Sequence, residues 1–197
     1  MQFNSKTRKI TYVAMFAAIS AVLMYFEFPL PFLPPFLKID LSGIPILLAA
    51  FMFGPVEAIT VALIKDIVHL FSSQTGGVGE LADFIIFAAF ALTAYFIYHV
   101  NKTRRFAVLA CAAGTGAIMV VGALANKFLL IPFYEKIMPI EAIIEACKAV
   151  NPYIDSINAY LLLGIVPFNL IKGVVISLVT LLVYKKLSVF IKGKIAA

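Results

Sequence analysis

Residues 160–184 read YLLLGIVPFNLIKGVVISLVTLLVY, an apolar run long enough for a bilayer-spanning helix, which needs about 20 residues. Two polar side chains interrupt the run: Asn169 and, three residues later, Lys172. A lysine near the middle of such a helix costs on the order of 2.5–3.5 kcal/mol. Because residues three apart project from the same helix face, we expect both side chains to point together at protein, water or a ligand. An amide and an ammonium on one face predict a recognition site for a polar small molecule.

The composition of the whole chain indicates a membrane protein. Of its 197 residues, 63% are hydrophobic and 13% are charged, and the mean hydropathy is +1.04. Soluble domains are about 45–50% apolar and about 25% charged. A soluble fold could not bury this much apolar surface, and the length leaves no room for a separate soluble domain. We therefore expect one all-α integral membrane domain over residues 1–197.

Six transmembrane helices can be drawn along the chain. Their predicted bounds are 10–28, 41–53, 55–71, 81–100, 106–131 and 159–184. The second is short, and Gly54-Pro55 separates it from the third. These two segments could instead form one kinked element, or the second could be re-entrant. The sequence predicts a six-transmembrane-helix bundle.

Lysine and arginine are distributed unevenly between the two sides of this predicted bundle. With the N-terminus inside, the cytoplasmic segments hold Lys6, Arg8, Lys9, Lys102, Arg104, Arg105, Lys185, Lys186, Lys192 and Lys194. The outer segments hold only Lys38, Lys136 and Lys148. Because cytoplasmic loops are enriched in these residues, both termini are predicted to be cytoplasmic. The formal net charge of +6 is explained by this orientation, without nucleic acid as a partner.

Three outer segments have distinctive compositions. Residues 29–40, PLPFLPPFLKID, form an apolar loop that proline keeps extended, and we expect it to fold over something. Residues 72–80, SSQTGGVGE, form a glycine-rich turn whose backbone could approach a ligand closely. Between Pro139 and Pro152, apolar side chains at helical spacing predict a short amphipathic helix on the outer surface.

Asn126 and Lys127 add a second polar pair at the outer end of the fifth predicted helix. Two helices thus place amides and ammoniums at similar depth. Alternatively, Lys172 forms an internal ion pair with Asp66 or Asp83, and Lys127 extends its ammonium to the interface. Both alternatives remain open from the sequence.

A further polar set contains Lys65, Asp66 and His69 in the third predicted helix, with Glu80 and Asp83 at the fourth. Carboxylates with a histidine could bind a metal, but a single histidine there and the lack of a repeated ligand motif make this a weak case. The simpler interpretation is that Lys65 and Asp66 pair with each other or cap neighbouring helices. The two cysteines, Cys111 and Cys147, have no metal or redox spacing and are predicted to be small apolar side chains.

The first predicted helix carries two small-xxx-small pairs. Ala14 and Ala18 form one, and Ala17 and Ala21 form the other. Such spacing lets another helix backbone approach closely, either within the protein or in a partner. The chain has no phosphate-binding P-loop, no nucleophile elbow and no His-Glu-x-x-His, so neither ATP hydrolysis nor another enzymatic activity is predicted.

Several motifs together resemble the riboflavin-specific S components of energy-coupling-factor (ECF) vitamin transporters, over nearly the whole chain. The motifs are FLKIDLS at 36–42 with Ile44-Pro45, FGP at 53–55, GGVGEL at 76–81, Asn126 with LIPFY at 130–134, and, most specifically, PFNLIKG at 167–173. The resemblance implies a six-helix bundle, in a bacterial plasma membrane, with a pocket open to the outside.

The resemblance also assigns residues to the ligand. Flavin-ring contacts would come from Asn126, Asn169 and Lys172, and the first outer loop would close over the vitamin. The full set of expected substrate-binding residues is Leu37, Lys38, Asp40, Gly79, Glu80, Asp83, Asn126, Asn169 and Lys172. Position 83 departs from the family pattern: asparagine is expected after Gly-Glu-Leu-Ala, and this chain has Asp83. An ionised aspartate accepts hydrogen bonds but cannot donate them, so its contact with the ligand is in question. An isoalloxazine edge presents two carbonyls and one N–H, which two amides and a lysine complement, between walls such as Phe128, Phe133, Tyr134 and Phe168.

The implied partners are protein subunits and the bilayer. The alanine face of the first helix, Ala14, Ala17, Ala18 and Ala21, would meet a transmembrane coupling subunit (EcfT), with two ATPase subunits beneath it. Riboflavin would be the transported ligand, with no cofactor and no metal. Three alternatives remain: an S component for another vitamin, a metal-dependent membrane enzyme built on Asp66, His69, Glu80 and Asp83, and a solitary secondary transporter using Lys172 in an ion path.

Overall fold

The computed structural model of the chain describes residues 5–34, 36–137 and 139–195 and is mostly helical. The side chains of Ser5, Lys185 and residues 187–195 lie outside this description. The prediction that Lys185, Lys192 and Lys194 are cytoplasmic therefore concerns side chains outside the description. Pro35, part of the predicted outer loop, also lies outside it.

Nine α-helices and one two-stranded sheet are found in the described residues. The helices are α1 Ser5–Met24, α2 Gly43–Met52, α3 Pro55–His69, α4 Val78–Val100, α5 Arg104–Ala125, α6 Ile131–Tyr134, α7 Ile140–Lys148, α8 Ile157–Tyr160 and α9 Val166–Ile195. The strands β1 Phe28–Pro29 and β2 Lys38–Ile39 pair antiparallel. A 3₁₀ turn, Leu70–Ser72, extends α3. Wide π-helical turns, Asn126–Leu130 and Leu161–Ile165, join α5 to α6 and α8 to α9, so each pair forms one continuous helical rod.

Four helical rods are long and apolar enough to cross a membrane. They span Lys6–Met24, Val78–Val100, Arg104–Tyr134 and Ile157–Tyr184. Large apolar side chains on their outer faces are exposed, as expected for surfaces that contact lipid. α2 and α3 are shorter, at 10 and 15 residues. At about 1.5 Å per residue, α2 spans only about half of a hydrocarbon core about 30 Å thick.

The short helix α2 is the centre of the bundle. Nine of its ten residues, from Gly43 to Phe51, are buried. α2 packs against α1, α3, α4 and α9, so its apolar surface contacts protein instead of lipid. Gly54 has a φ of +127°, which ends α2, and Pro55 begins α3. The alternative of one kinked element is therefore wrong: these are two separate helices.

The first helix ends earlier than predicted. α1 stops at Met24, four residues before the predicted end at Phe28. Phe28 precedes a proline, which disfavours the helical conformation, and it pairs with Ile39 in the small sheet instead. The segment after α1 thus turns back on itself.

Besides the main core, which contains the buried apolar residues of α2, a second hydrophobic cluster covers the end of the bundle where this sheet lies. The cluster contains Leu33, Leu37 and Ile39 from the proline-rich loop, Cys147 from α7, and Ile154, Tyr160, Leu161, Ile165 and Phe168. The apolar loop therefore folds over protein, as predicted. Cys147 is fully buried, and burial raises the pKa of its thiol to about 11, consistent with an unreactive apolar side chain.

Candidate functional site

A cavity of about 530 Å³ lies beneath this second cluster. It is lined by the last residues of α1 and α3, the start of α4, the π-helical turn after α5, and the start of α9. Its volume falls in the range of small-molecule pockets, about 300–1,000 Å³. All nine residues expected to bind substrate line it, namely Leu37, Lys38, Asp40, Gly79, Glu80, Asp83, Asn126, Asn169 and Lys172.

The two asparagines lie beside the wide turns of their helices. Asn126 begins the π-helical turn that precedes Pro132, and Asn169 follows the turn that precedes Pro167. Proline has no backbone N–H and its ring crowds the carbonyl four residues earlier, which a wider turn accommodates. The two turns contact each other, so they bring both asparagines to one wall of the cavity.

Backbone hydrogen bonds fix both amide groups. Asn126 Nδ2 donates to the Gly122 carbonyl at 2.9 Å, and Asn169 Nδ2 donates to the Ile165 carbonyl at 2.9 Å. The Tyr160 hydroxyl donates to Asn126 Oδ1 at 3.4 Å. Each Nδ2 carries two hydrogens, so one N–H of each amide remains for a ligand.

Lys172 is paired with two carboxylates beside the cavity. Its Nζ lies 3.0 Å from Asp40 Oδ2 and 3.1 Å from Asp83 Oδ1. The ion-pair alternative is thus partly realised: Asp83 holds Lys172, whereas Asp66 pairs with Lys65. Lys172 nevertheless lines the cavity, so the internal pair and a ligand contact are compatible.

The aspartate at position 83 has a specific structural partner. Its second oxygen, Oδ2, accepts from Lys65, which is fully buried and also pairs with Asp66. Asp83 therefore bridges two lysines, and both ammoniums also lie over the Phe87 ring, at 5.1 and 4.7 Å from its centroid. Because two cations converge on this position, a carboxylate there is stabilised.

The proline-rich loop is connected to the site by polar contacts. Asp40 accepts from the backbone N–H of Ser42 at 2.7 Å through one oxygen and pairs with Lys172 through the other. Lys38, which lines the cavity, forms an ion pair with Glu27, three residues after the end of α1. These contacts, with the strand pair, hold the loop across the cavity.

The glycine-rich segment is organised around Glu80. Its carboxylate accepts from the hydroxyls of Ser73 and Thr75 at 2.8 and 3.2 Å, and lies 2.9 Å from His69 Nδ1. Gly76 and Gly77 have φ values of +58° and +92°, which other residues rarely adopt. The turn is thus compact and polar. Its last two residues, Gly79 and Glu80, line the cavity.

The predicted walls are only partly correct. Tyr134 and Phe168 line the cavity. Phe128 does not: its side chain is 63% exposed on the outside of its helix. Phe133 packs its ring on Tyr134 and is not a lining residue. Lys127 is exposed above the Phe128 ring and does not line the cavity.

Sequence reasoning missed several lining residues. They include Tyr25, Glu27, His69, Gln74, Thr75 and Leu130. Gln74 and Thr75 lie within the glycine-rich turn of residues 72–80, whose composition is the signal that could have indicated them. Tyr25 and Glu27 follow α1, in a stretch that the sequence predicts as part of the first transmembrane helix.

The four residues of the metal hypothesis divide into two separate sets. Asp66 and Asp83 pair with Lys65, whereas His69 and Glu80 pair with each other. Within residues 5–34, 36–137 and 139–195, no group of three or more His, Cys, Asp or Glu side chains is arranged to hold a metal ion. The hypothesis of a metal-dependent enzyme therefore has no support in this geometry.

The alanines of α1 point in two directions. Ala14 and Ala18 are exposed. Ala17 and Ala21 are 2% and 7% exposed and belong to the buried side of the helix. The prediction of one partner-facing set of four is thus corrected: the second pair packs inside the protein, and only the first is on its surface.

Comparison with known proteins gives consistent matches over nearly the whole chain. The model of the family described as ECF transporter, substrate-specific component, matches residues 8–184. The riboflavin transporter RibU of Staphylococcus aureus (strain TCH60) is 37% identical over 187 residues, covering 95% of this chain and 94% of that protein. The riboflavin transporter FmnP of Bacillus subtilis (strain 168) is 30% identical over 195 residues, 98% of each chain. A solved structure of the S component of a bacterial ECF transporter matches with a TM-score of 0.74 at 36% identity, covering 95% of this chain and 99% of that one.

Proposed function

We propose, because this chain belongs to the family of substrate-specific components of ECF transporters, that it captures riboflavin in the cavity described above. The family consists of transport components and not of enzymes. Riboflavin is the substrate named for relatives that are 30–37% identical over nearly the full length. The main support for the proposal is the convergence of Asn126, Asn169 and Lys172 on a cavity of about 530 Å³.

The chemistry of these three side chains suits the polar edge of a flavin ring. That edge has two carbonyl acceptors and one N–H donor. The free N–H groups of the two amides can donate to the carbonyls, and an amide oxygen can accept from the ring N–H. Lys172 has three N–H donors, of which its two carboxylate partners use two. The third is available to the ligand.

The rest of the cavity has complementary properties for this ligand. Phe168 and Tyr134 offer aromatic surface to a flat tricyclic ring. Glu80, Thr75 and Gly79 add polar groups to the lining, suited to the hydroxyls of a sugar-alcohol chain. Leu37, Lys38 and Asp40 belong to the loop that closes the site, and Asp83 acts by holding Lys172.

The whole chain, residues 1–197, acts in this proposal as one domain of a bacterial plasma membrane protein. Six transmembrane helices are counted in this proposal: the four longer rods, α3, and α2, which is shorter than the hydrocarbon core and is enclosed by the other helices. Successive helices alternate in direction, and α1 begins and α9 ends away from the cavity. With Lys102, Arg104 and Arg105 at that same end, both termini lie in the cytoplasm and the cavity faces outward.

Transport in this proposal depends on partner subunits. The chain has no P-loop, so ATP hydrolysis must come from two separate ATPase subunits, coupled through a transmembrane subunit. Ala14 and Ala18 are the exposed alanines of α1 and form the contact surface for that subunit.

The absorbance spectrum of the purified protein tests this function. Protein purified from cells grown with riboflavin should be yellow, with the visible absorption bands of a flavin. Ligand-free protein should quench the fluorescence of added riboflavin saturably, with one equivalent per chain. Asn169→Ala should weaken this binding by about tenfold to a hundredfold, the effect of one or two lost hydrogen bonds. Protein that folds but does not bind riboflavin would contradict the proposal.

A further inference from the structure

Gly122 lies between the two asparagines of the cavity wall. It is buried on α5, one helical turn before Asn126. Its Cα faces the side chain of Asn169 from α9. Gly122 itself does not line the cavity, so its influence on a ligand would act through these two amides.

The amide of Asn169 occupies the space that a side chain at position 122 would need. A Cβ on Gly122 would lie 2.5 Å from Asn169 Nδ2, 2.9 Å from Cγ and 3.1 Å from Oδ1. All three atoms of the amide group are thus closer than ordinary van der Waals contact. Asn169 is 2% exposed and donates to the Ile165 carbonyl at 2.9 Å, so it cannot move aside without breaking that bond.

The backbone of the same residue also holds the second amide. The Gly122 carbonyl accepts from Asn126 Nδ2 at 2.9 Å. This bond lies at the start of the π-helical turn, where regular helical bonding is interrupted. Gly122 therefore lies against both amides: its carbonyl accepts from Asn126, and its Cα faces Asn169.

Other buried glycines of the bundle have a different environment. A Cβ on Gly114 would meet the Phe90 ring, and one on Gly173 would meet Thr115 and Ile118. These neighbours are core residues that do not line the cavity. Their glycines allow close helix packing, whereas the neighbour of Gly122 is a polar group of the site.

We propose that Gly122 is a positioning residue for the flavin-ring contacts, which sets the amides of Asn126 and Asn169 relative to each other. The inference rests on the proposed function, because it assumes that these amides bind the ring. Any side chain at position 122 displaces the Asn169 amide or separates α5 from α9 locally. Either change misaligns two donors that must reach one rigid ring edge.

Gly122→Ala tests this role, with Gly116→Ala as its matched control. Gly116 is on the same helix, and a Cβ there would meet no neighbouring atom within 4 Å among the described residues. Riboflavin fluorescence titration should show affinity about tenfold to a hundredfold weaker for Gly122→Ala. Gly116→Ala should bind within about twofold of wild type, as surface substitutions typically do. Equal affinity of wild type and Gly122→Ala would overturn the proposal.

Two further readouts separate positioning from general damage. At saturating riboflavin, the visible absorption band of the bound flavin should differ between Gly122→Ala and wild type, because hydrogen bonds to the ring carbonyls shift it. In thermal unfolding of ligand-free protein, the penalty of Gly122→Ala should vanish in an Asn169→Ala background, where the clash is absent. An unchanged bound spectrum, or a penalty that persists in both backgrounds, would show that Gly122 only maintains packing.

The double variant also tests the proposal if Gly122→Ala by itself does not fold. If Gly122→Ala alone is not recovered as folded protein, Gly122→Ala with Asn169→Ala should restore a monodisperse preparation. Continued failure of the double variant would overturn the inference. Failure of the proposed function is distinguishable, because in that case wild-type protein itself would bind no riboflavin.

Discussion

Asp83 Oδ1 lies 3.1 Å from Lys172 Nζ, and the opposite oxygen of the same carboxylate accepts from Lys65. One side chain on α4 thereby links a lysine of α9 to a lysine of α3. Lys172, which the flavin proposal requires, is consequently held in place by protein groups alone. Preorganisation of this kind reduces the ordering cost of binding.

Removal of this bridge should destabilise the protein. Asp83→Ala leaves Lys65 and Lys172 with one carboxylate partner each, Asp66 and Asp40 respectively. We expect a loss of about 1–3 kcal/mol in unfolding free energy, less than for a pair sealed from water, because Asp83 borders the cavity. Thermal unfolding of the ligand-free protein in detergent measures the loss. Asp155→Ala, at an exposed aspartate, is the control, and equal unfolding temperatures for both variants would refute the role of the bridge.

Lys172 and Lys127 should differ sharply in their effect on riboflavin. Lys172→Gln removes the charge beside the cavity and should weaken affinity by about tenfold to a hundredfold, the loss of a charged hydrogen bond. Lys127→Gln makes the same change at an exposed lysine and should leave affinity unchanged. Fluorescence titration of the two variants in parallel provides the comparison. Similar affinities for both would remove Lys172 from the site.

Ser73 should control the order of the glycine-rich turn. Its hydroxyl donates to Glu80 at 2.8 Å and accepts from the backbone N–H groups of Thr75 and Gly77 at 3.3 and 3.0 Å. Ser73→Ala removes all three bonds, so the amides of residues 75–79 should exchange about tenfold faster with deuterated solvent. Ser72→Ala removes only one bond, to the His69 carbonyl, and serves as the control. Identical exchange in the two variants would exclude this role.

Substitutions in the two alanine pairs of α1 should have different effects. A change in the exposed pair should impair assembly with the partner subunits, and a change in the buried pair should lower the stability of the fold. Ala18→Leu enlarges an exposed residue and should reduce copurification with the coupling subunit and ATPases, while riboflavin binding is retained. Ala17→Leu overfills a buried site and should cost about 1–3 kcal/mol of stability. Ala112→Leu, at an exposed alanine of α5, is the matched control for assembly. Normal complex formation by Ala18→Leu would place the partner surface elsewhere.

The four longer rods and three polar lining residues could be predicted from the sequence because they depend on strong local signals, whereas the loop and glycine-rich lining residues followed only from the family resemblance. Long apolar runs specify the four longer rods, and polar residues within such runs are costly unless they face a site. Asn126, Asn169 and Lys172 could be found for that reason. The wide turns beside Pro132 and Pro167 have a signal too, since proline interrupts helical hydrogen bonding.

Other features depend on contacts that a single sequence does not specify. α2 is enclosed by four other helices, and its ten apolar residues alone give no indication of that enclosure. The pairing of Asp83 with two lysines joins residues 18 and 89 positions apart along the chain. Helical periodicity also could not assign which alanines of α1 face outward, nor that Phe128 points away from the cavity, because both depend on the rotation of a helix within the bundle.

A structure determined from protein purified with riboflavin tests the central claim most directly. We expect one flavin in the cavity, with the polar edge of its ring within hydrogen-bonding distance of Asn126, Asn169 and Lys172. A flavin bound elsewhere, or an empty cavity at saturating riboflavin, would contradict this assignment.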